Sequence, residues 1–107
     1  MRISAFVLLA ASACAPVSDP PLTAAELEIY PEARGMPADV QSFIVQWQGC
    51  AHWLGEPWFA EDRRRQIERG VRAACPGVDA RGRALRRRYA DRPDVLEGIA
   101  PLEPLGQ

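Results

Sequence analysis

The pattern of hydrophobic and polar positions along the chain predicts a small all-α domain. Its clearest part is a stripe of apolar residues that recur at steps of three and four, which is the period of one face of an amphipathic helix. The stripe consists of Val40, Phe43, Ile44, Trp47, Cys50, Ala51 and Leu54. Pro37 suits the first turn of a helix, and Gly55 followed by Pro57 stops one. We therefore predict a first long helix that begins at Pro37 and ends near Gly55.

Two more helices and a short fourth one follow. The second is predicted from about Ala60 to Ala74, where Pro76 and Gly77 end it. Its inner face would be Phe59, Arg63, Ile67, Val71, Ala74 and Cys75, with Arg63 as the one poor fit. The third helix is predicted to begin at Asp79, which is a good N-cap residue, and to carry Leu85 and Tyr89 four positions apart on one side. The fourth follows Pro93, and its apolar face is Val95, Leu96 and Ile99.

The two ends of the chain lack this pattern. Prolines at positions 16, 20 and 21 disfavour regular structure, although Thr23 and Glu26 have the spacing of a capping box over one helical turn. Two prolines also interrupt the last seven residues, which we expect to be frayed. The predicted organisation is a signal peptide (1–13), a lipid-anchored tether with an irregular segment (14–36), a helical domain (37–100) and a frayed tail (101–107).

The amino terminus indicates export. The apolar run from Ile3 to Ala13 is too short to cross a bilayer and has the length of a secretory signal core. Its end, Leu8 to Cys14, resembles the cleavage box of bacterial lipoproteins, and this resemblance implies that Cys14 is diacylated and becomes the first residue. With Ala15 and not aspartate after that cysteine, the chain resembles lipoproteins sorted to the outer membrane, and this resemblance implies a position there that faces the periplasm. The alternatives are a soluble periplasmic or secreted protein cleaved nearby, and an uncleaved anchor.

The other two cysteines form an even pair if Cys14 is acylated. Disulfides persist in the oxidising compartments outside the cytoplasm, so we predict a bond between Cys50 and Cys75. A loop of this length should stabilise the fold by roughly 3 kcal/mol in the chain-entropy model. A tight helical hairpin at Gly55 would leave the two cysteines far apart. The bond therefore requires the connection from Gly55 to Phe59 to be extended, and the residue before Pro57 favours that conformation.

The charge balance gives no argument for nucleic-acid binding. The formal net charge is −1, from 13 basic and 14 acidic residues, and every basic residue is an arginine. The charges are nevertheless segregated, because acids dominate between Asp19 and Glu56 while arginines crowd the second and third helices. One interpretation is that these arginines lie on solvated faces and pair with the acids. The other is a basic surface for anionic lipid headgroups, lipopolysaccharide or peptidoglycan carboxylates.

The turn after the first helix carries the candidate functional residues. His52 and Glu56 could act as an acid/base pair, or His52 could be a structural residue that ties the connection by a hydrogen bond to Glu56. Trp53, Trp58 and Phe59 flank this turn and are either part of the core, with Trp53 or Trp58 packed over Cys50, or part of a binding patch.

We predict no metal or cofactor. A zinc site built on Cys50, His52 and Cys75 is disfavoured because residues two apart on a helix point in different directions. No nucleophile accompanies His52 and Glu56 in the sequence. The turn is therefore predicted as a candidate binding turn and not as a catalytic centre.

One resemblance covers about half of the chain, from Val40 to Leu96. The motif Cys-x-His-Trp-x-Gly-Glu at positions 50–56, the arginine-rich helix that ends in Cys75-x-Gly77-x-Asp79, and the later Leu85-Arg86-x-Arg88-Tyr89 resemble a family of small exported proteobacterial proteins. The resemblance implies a two-cysteine helical domain and brings no catalytic residues. We expect a non-enzymatic envelope lipoprotein, a small binding or structural module. Its partners would be the membrane, through the lipid anchor, and an anionic envelope component or a protein. The alternative is an envelope enzyme or enzyme inhibitor that uses His52 and Glu56.

Overall fold

The predicted all-α fold is confirmed. The computed structural model describes residues 19–107, and 66% of them lie in helices, with no strand in that range. The helices are α1 (Ala24–Ile29), α2 (Ala38–Gly55), α3 (Glu61–Ala74), α4 (Val78–Arg88) and α5 (Pro93–Ile99), with a 3-10 turn at Pro31–Ala33. The predicted signal peptide and the lipid site at Cys14 lie outside the described residues.

The first short helix forms as the capping-box spacing predicts. The hydroxyl of Thr23 accepts a hydrogen bond from the backbone N–H of Glu26 at 3.2 Å. In return, the Glu26 carboxylate accepts one from the backbone N–H of Thr23 at 3.1 Å. Two N–H groups that the helix itself leaves without partners are satisfied in this way.

The long helix α2 is the centre of the fold, and both α3 and α4 pack on it. Four members of the predicted stripe are buried, namely Val40, Phe43, Ile44 and Cys50. Trp47 is half-buried and packs against this core. Side chains from the other elements complete the core, chiefly Ala33, Cys75, Val78, Leu85, Val95, Ile99 and Leu102. Leu54 does not join it, because the last turn of α2 extends past the core and leaves this side chain 43% exposed.

The predicted disulfide joins α2 to the end of α3. Cys50 and Cys75 are bonded, with their Cα atoms 4.8 Å apart, and both residues are buried. The connection between the helices is extended where it leaves α2 at Glu56 (ψ 127°) and where it enters α3 at Ala60 (ψ 148°). The extended connection that the bond required is therefore confirmed.

Beyond the disulfide, α2 and α3 form a helical hairpin that we call the finger, residues 51–74. Within the described part of the chain, none of its residues is a buried member of the main core. The finger has its own small contact, because Trp53 lies so close to Gly70 that a Cβ there would be 2.2 Å from the indole ring. Ile67 is the one residue of α3 that is buried. The molecule thus consists of a packed body and a finger that continues α2, and the finger is held at its other end by the disulfide and by Val71 and Ala74, which pack against the core.

Phe59 was predicted on the inner face of α3, and this prediction is wrong. The helix begins only at Glu61, so Phe59 belongs to the extended connection and does not follow the helical phase. Its side chain is 97% exposed. The periodicity argument failed here because it extended the helical pattern into residues that are not helical.

The predictions for Asp79 and for the frayed tail are also wrong, for one shared reason. Helix α4 begins at Val78 after Gly77, whose left-handed conformation (φ 75°) ends the preceding turn. The Asp79 carboxylate accepts hydrogen bonds from the backbone N–H groups of the last three residues, Leu105, Gly106 and Gln107, each at 2.8 Å. These bonds, the one from Leu105 foremost, lower the pKa of Asp79. The carboxylate caps the tail instead of its own helix.

Two more long-range contacts hold the tail. The indole N–H of Trp47 donates to the carbonyl oxygen of Glu103 at 2.8 Å. Arg86 donates to the carbonyl oxygens of Ile99 (3.0 Å) and Leu102 (2.9 Å), and Leu102 is only 8% exposed. The chain after α5 is therefore part of the body.

Candidate binding surface at the finger tip

The last turn of α2 brings His52 and Glu56 together, because residues four apart lie on the same side of a helix. The His52 Nδ1 atom lies 3.5 Å from a Glu56 carboxylate oxygen, but 58% of the histidine side chain is exposed. The other oxygen of Glu56 accepts a hydrogen bond from Arg63 at 2.9 Å, and Glu56 is only 27% exposed. The closer tie between the two helices is therefore Glu56 to Arg63, and His52 lies outside it.

Sequence reasoning missed the role of Arg63. The residue was the one poor fit on the predicted inner face of α3, and this was the signal that could have identified it. A charged side chain on an apolar face is accommodated when a carboxylate faces it from the neighbouring element. Arg63 also lies over the Trp53 ring, 5.7 Å from its centroid, so it joins the connection to the hairpin contact.

The tryptophans divide between the body and the finger. Only Trp47 packs against the main core of the described residues. Trp53 lies on Gly70, with the His52 ring edge-on to it at 5.2 Å between centroids. Trp58 is 51% exposed, and the Arg64 guanidinium lies 5.8 Å from its ring centroid. Neither Trp53 nor Trp58 is among the side chains that pack against the main core, which contains Cys50, so the prediction that one of them packs over the disulfide as part of the core is wrong.

The exposed end of the finger is apolar. Leu54, Trp58 and Phe59 are all large and exposed, and they lie within six consecutive residues. We call these three residues, with the connection that carries them, the finger tip. A cluster of this kind on the surface of a small protein is typical of a contact site.

The acids beside the tip are mostly neutralised by arginines. Arg64 pairs with Glu61 and with Glu68, and this hydrogen bonding lowers the pKa of Glu61 and raises that of Arg64. Elsewhere, Arg81 pairs with Asp19 and Arg88 with Asp39. The interpretation that arginines pair internally therefore holds for these side chains.

Three arginines of α3 are arranged differently. Arg65, Arg69 and Arg72 are exposed and form no ion pair within residues 19–107. At 3.6 residues per turn they fall within an arc of about 60° on one side of α3. We call them the α3 arginine stripe.

The structure offers no ligand set for a metal in the described range. No group of three or more His, Cys, Asp or Glu side chains there could hold an ion. Both sulfur atoms of the pair considered for zinc are in the disulfide. A shallow concavity lined by Pro20, Pro21, Leu22, Glu26, Ser42 and Val45 lies away from the candidate turn.

Within residues 19–107, no helix combines the length and the apolar character that a membrane span needs. No protein-family model, curated protein or solved structure matches this chain. The resemblance to small exported proteobacterial proteins stays a prediction, as does the lipid at Cys14.

Proposed function

We propose that this protein is a non-enzymatic lipoprotein of the cell envelope that acts as a small binding or structural module. In this proposal Cys14 carries the lipid and anchors the protein in the outer membrane on the periplasmic side. The following residues act as a tether, and the finger tip is the surface that makes contact.

The observation that carries the proposal is the exposure of the tip. Phe59 is 97% exposed, whereas Phe43, in the same described part of the chain, is almost completely buried. Leaving a phenylalanine in water forgoes about 1.5–3 kcal/mol of hydrophobic stabilisation. Because Trp58 and Leu54 are exposed beside it, this loss is concentrated at one place, which is expected of a contact surface.

The experiment for the anchor is the variant Cys14→Ala. The wild-type chain should incorporate a fatty-acid analogue and appear in the membrane fraction, while Cys14→Ala should lose the label. Unlabelled wild-type protein would refute the anchor. Crosslinking in intact envelopes, followed by pull-down with wild type and with Phe59→Ser as the matched control, tests the contact surface. If the wild type and Phe59→Ser recover the same partners, the finger tip is not the contact surface.

A second candidate function is an envelope enzyme or enzyme inhibitor that uses His52 and Glu56. It is favoured by one observation, the exposure of His52 beside the Glu56 carboxylate at 3.5 Å. An exposed histidine next to a carboxylate can exchange protons with a bound molecule. This candidate requires that His52→Ala abolish the activity while leaving the free energy of unfolding unchanged.

A further inference from the structure

We propose that the finger tip and the α3 arginine stripe dock together on an anionic phospholipid leaflet, with Trp58 and Phe59 inserted at the level of the headgroups. This inference rests on the proposed function, because it names the partner of the same surface. Binding of a protein to a membrane surface combines burial of apolar side chains with attraction between cations and anionic lipids. The finger tip provides the first interaction, and the α3 arginine stripe provides the second.

The apolar part has the shape that such an interface accepts. The tip is the convex end of a hairpin, and Phe59 projects from it almost fully exposed. A partner protein would need a matching pocket for it, whereas a headgroup layer deforms around it. Tryptophan favours this layer because its ring is apolar and its N–H is polar. Trp58, half-exposed and covered on one side by Arg64, presents its apolar ring beside a guanidinium group that is itself paired with Glu61 and Glu68.

The charges beside the tip do not oppose an anionic surface. Glu56 is paired with Arg63, and Glu61 and Glu68 share Arg64. Asp62 keeps its charge, but its carboxylate accepts the N–H of Arg63 in the first turn of α3, where the helix dipole is positive. Across the finger, residues 51–74, the five arginines outnumber the four acidic residues, which leaves a net charge of +1.

The cations lie where they can reach the same surface. The α3 arginine stripe follows the tip along one side of the helix, and its first member is six residues after Phe59. From Arg65 to Arg72 the helix rises only about 10 Å, which is about one Debye length. An orientation that lays this side of α3 against the leaflet brings all three guanidinium groups to the phosphates while the tip inserts.

The α4 helix supplies a matched control for charge. Arg83 and Arg87 are also four positions apart, exposed, and without an ion pair in the part of the chain that the structure describes. They lie on the body and not on the finger. Arg83→Gln/Arg87→Gln therefore changes the net charge by the same amount as Arg65→Gln/Arg69→Gln, but leaves the proposed surface intact.

The test uses the full chain, purified in detergent and reconstituted in vesicles whose acyl chains carry bromine, which quenches nearby tryptophans. One set of vesicles is phosphatidylcholine alone, and the other contains phosphatidylglycerol. The difference between wild type and Trp58→Phe isolates the Trp58 signal. We expect Trp58 to be quenched in the anionic vesicles, and less in the neutral ones.

Arg65→Gln/Arg69→Gln should lower the ratio of docked to undocked protein by about 30-fold, since each arginine near an anionic surface contributes about fivefold. The control pair on α4 should leave the ratio unchanged, and Phe59→Ser should lower it. Equal losses for both arginine pairs, or no quenching of Trp58, overturn the inference.

The outcome is separate from that of the proposed function. The vesicle assay reads insertion of the tip whether or not Cys14 is acylated, so an unlabelled Cys14 with quenched Trp58 refutes the anchor alone. If Trp58 is unquenched and the tip crosslinks to a protein in envelopes, the lipid partner is refuted and the binding module stands.

Discussion

At the scale of single residues, the finger depends on Glu56 more than on its neighbour His52. Glu56 accepts a hydrogen bond from Arg63 at 2.9 Å, and about three-quarters of its side chain is shielded from solvent. The His52 side chain is more than half exposed, and its Nδ1 atom lies 3.5 Å from the Glu56 carboxylate. An exposed ion pair contributes little, because water screens it and its side chains lose conformational freedom. Glu56 is therefore expected to contribute more to the stability of the finger than His52, although both belong to the candidate turn.

We expect His52→Ala to change the free energy of unfolding by no more than about 0.5 kcal/mol, in keeping with an exposed pair. Glu56→Ala should cost about 1–2 kcal/mol, because it removes the carboxylate that faces Arg63 and leaves that guanidinium with Gln66 as its side-chain acceptor. Urea unfolding of the two variants measures both values. If His52→Ala lowers the free energy of unfolding more than Glu56→Ala does, His52 is a structural tie after all.

At the scale of elements, the contact between α2 and α3 in the finger is set by a glycine. Trp53 occupies the space where a side chain at position 70 would be, and the clashing atoms belong to the inner part of the indole, including Cγ at 2.6 Å. That part of the ring cannot move aside without displacing the backbone of one helix. This contact between one large side chain and a position without one therefore limits how far the two helices can shift against each other.

Two glycine substitutions test this contact with one control. Gly70→Ala should destabilise the protein by about 1–3 kcal/mol, the usual cost of overpacking, even though alanine favours a helix. Gly49→Ala, also in a helix, should instead stabilise it by up to about 1 kcal/mol, since its Cβ would meet only the Ala74 Cβ at 3.8 Å. Thermal unfolding compares them. Stabilisation by Gly70→Ala would contradict the contact.

At the scale of the whole molecule, the disulfide links the finger to the body. Cys50 directly precedes the finger in the sequence, Cys75 directly follows it, and both belong to the buried core. No residue between them is a buried member of that core. Beside the bond, Gln46 donates to the carbonyl oxygens of Ala74 (3.2 Å) and Pro76 (3.1 Å), which holds the corner between α3 and α4. The position of the tip therefore depends on the continuous helix α2, on this cross-link and on the contacts around it.

Reduction of the disulfide should lower the free energy of unfolding by roughly 3 kcal/mol, as expected for a loop that joins residues 25 positions apart. For a domain of this size, that loss lowers the thermal midpoint by roughly 10–20 °C. Calorimetry with and without reductant measures the shift, and mass spectrometry of the unreduced protein should find Cys50 linked to Cys75. Two free thiols in protein taken from the envelope would contradict the bond.

The sequence by itself determined the helices and the cross-link. Three signals were local, namely the stripe from Val40 to Cys50, the capping box at Thr23, and the glycine and proline stops. Each depends on residues that are close together in the chain. The disulfide followed from counting cysteines and from the extended connection that Pro57 favours.

Only the tertiary structure decided what the long-range partners are. Asp79 had the signature of an N-cap, but the tail supplied three N–H groups from more than twenty positions away. The position of Arg63 on the apolar face of α3 had no explanation in the sequence pattern, and the structure explains it by the hydrogen bond that Arg63 donates to Glu56. Phe59 had the spacing of a core residue, but the core is formed by other side chains and does not include it. A local pattern states what a side chain can do, and burial depends on which partners the folded chain brings to it.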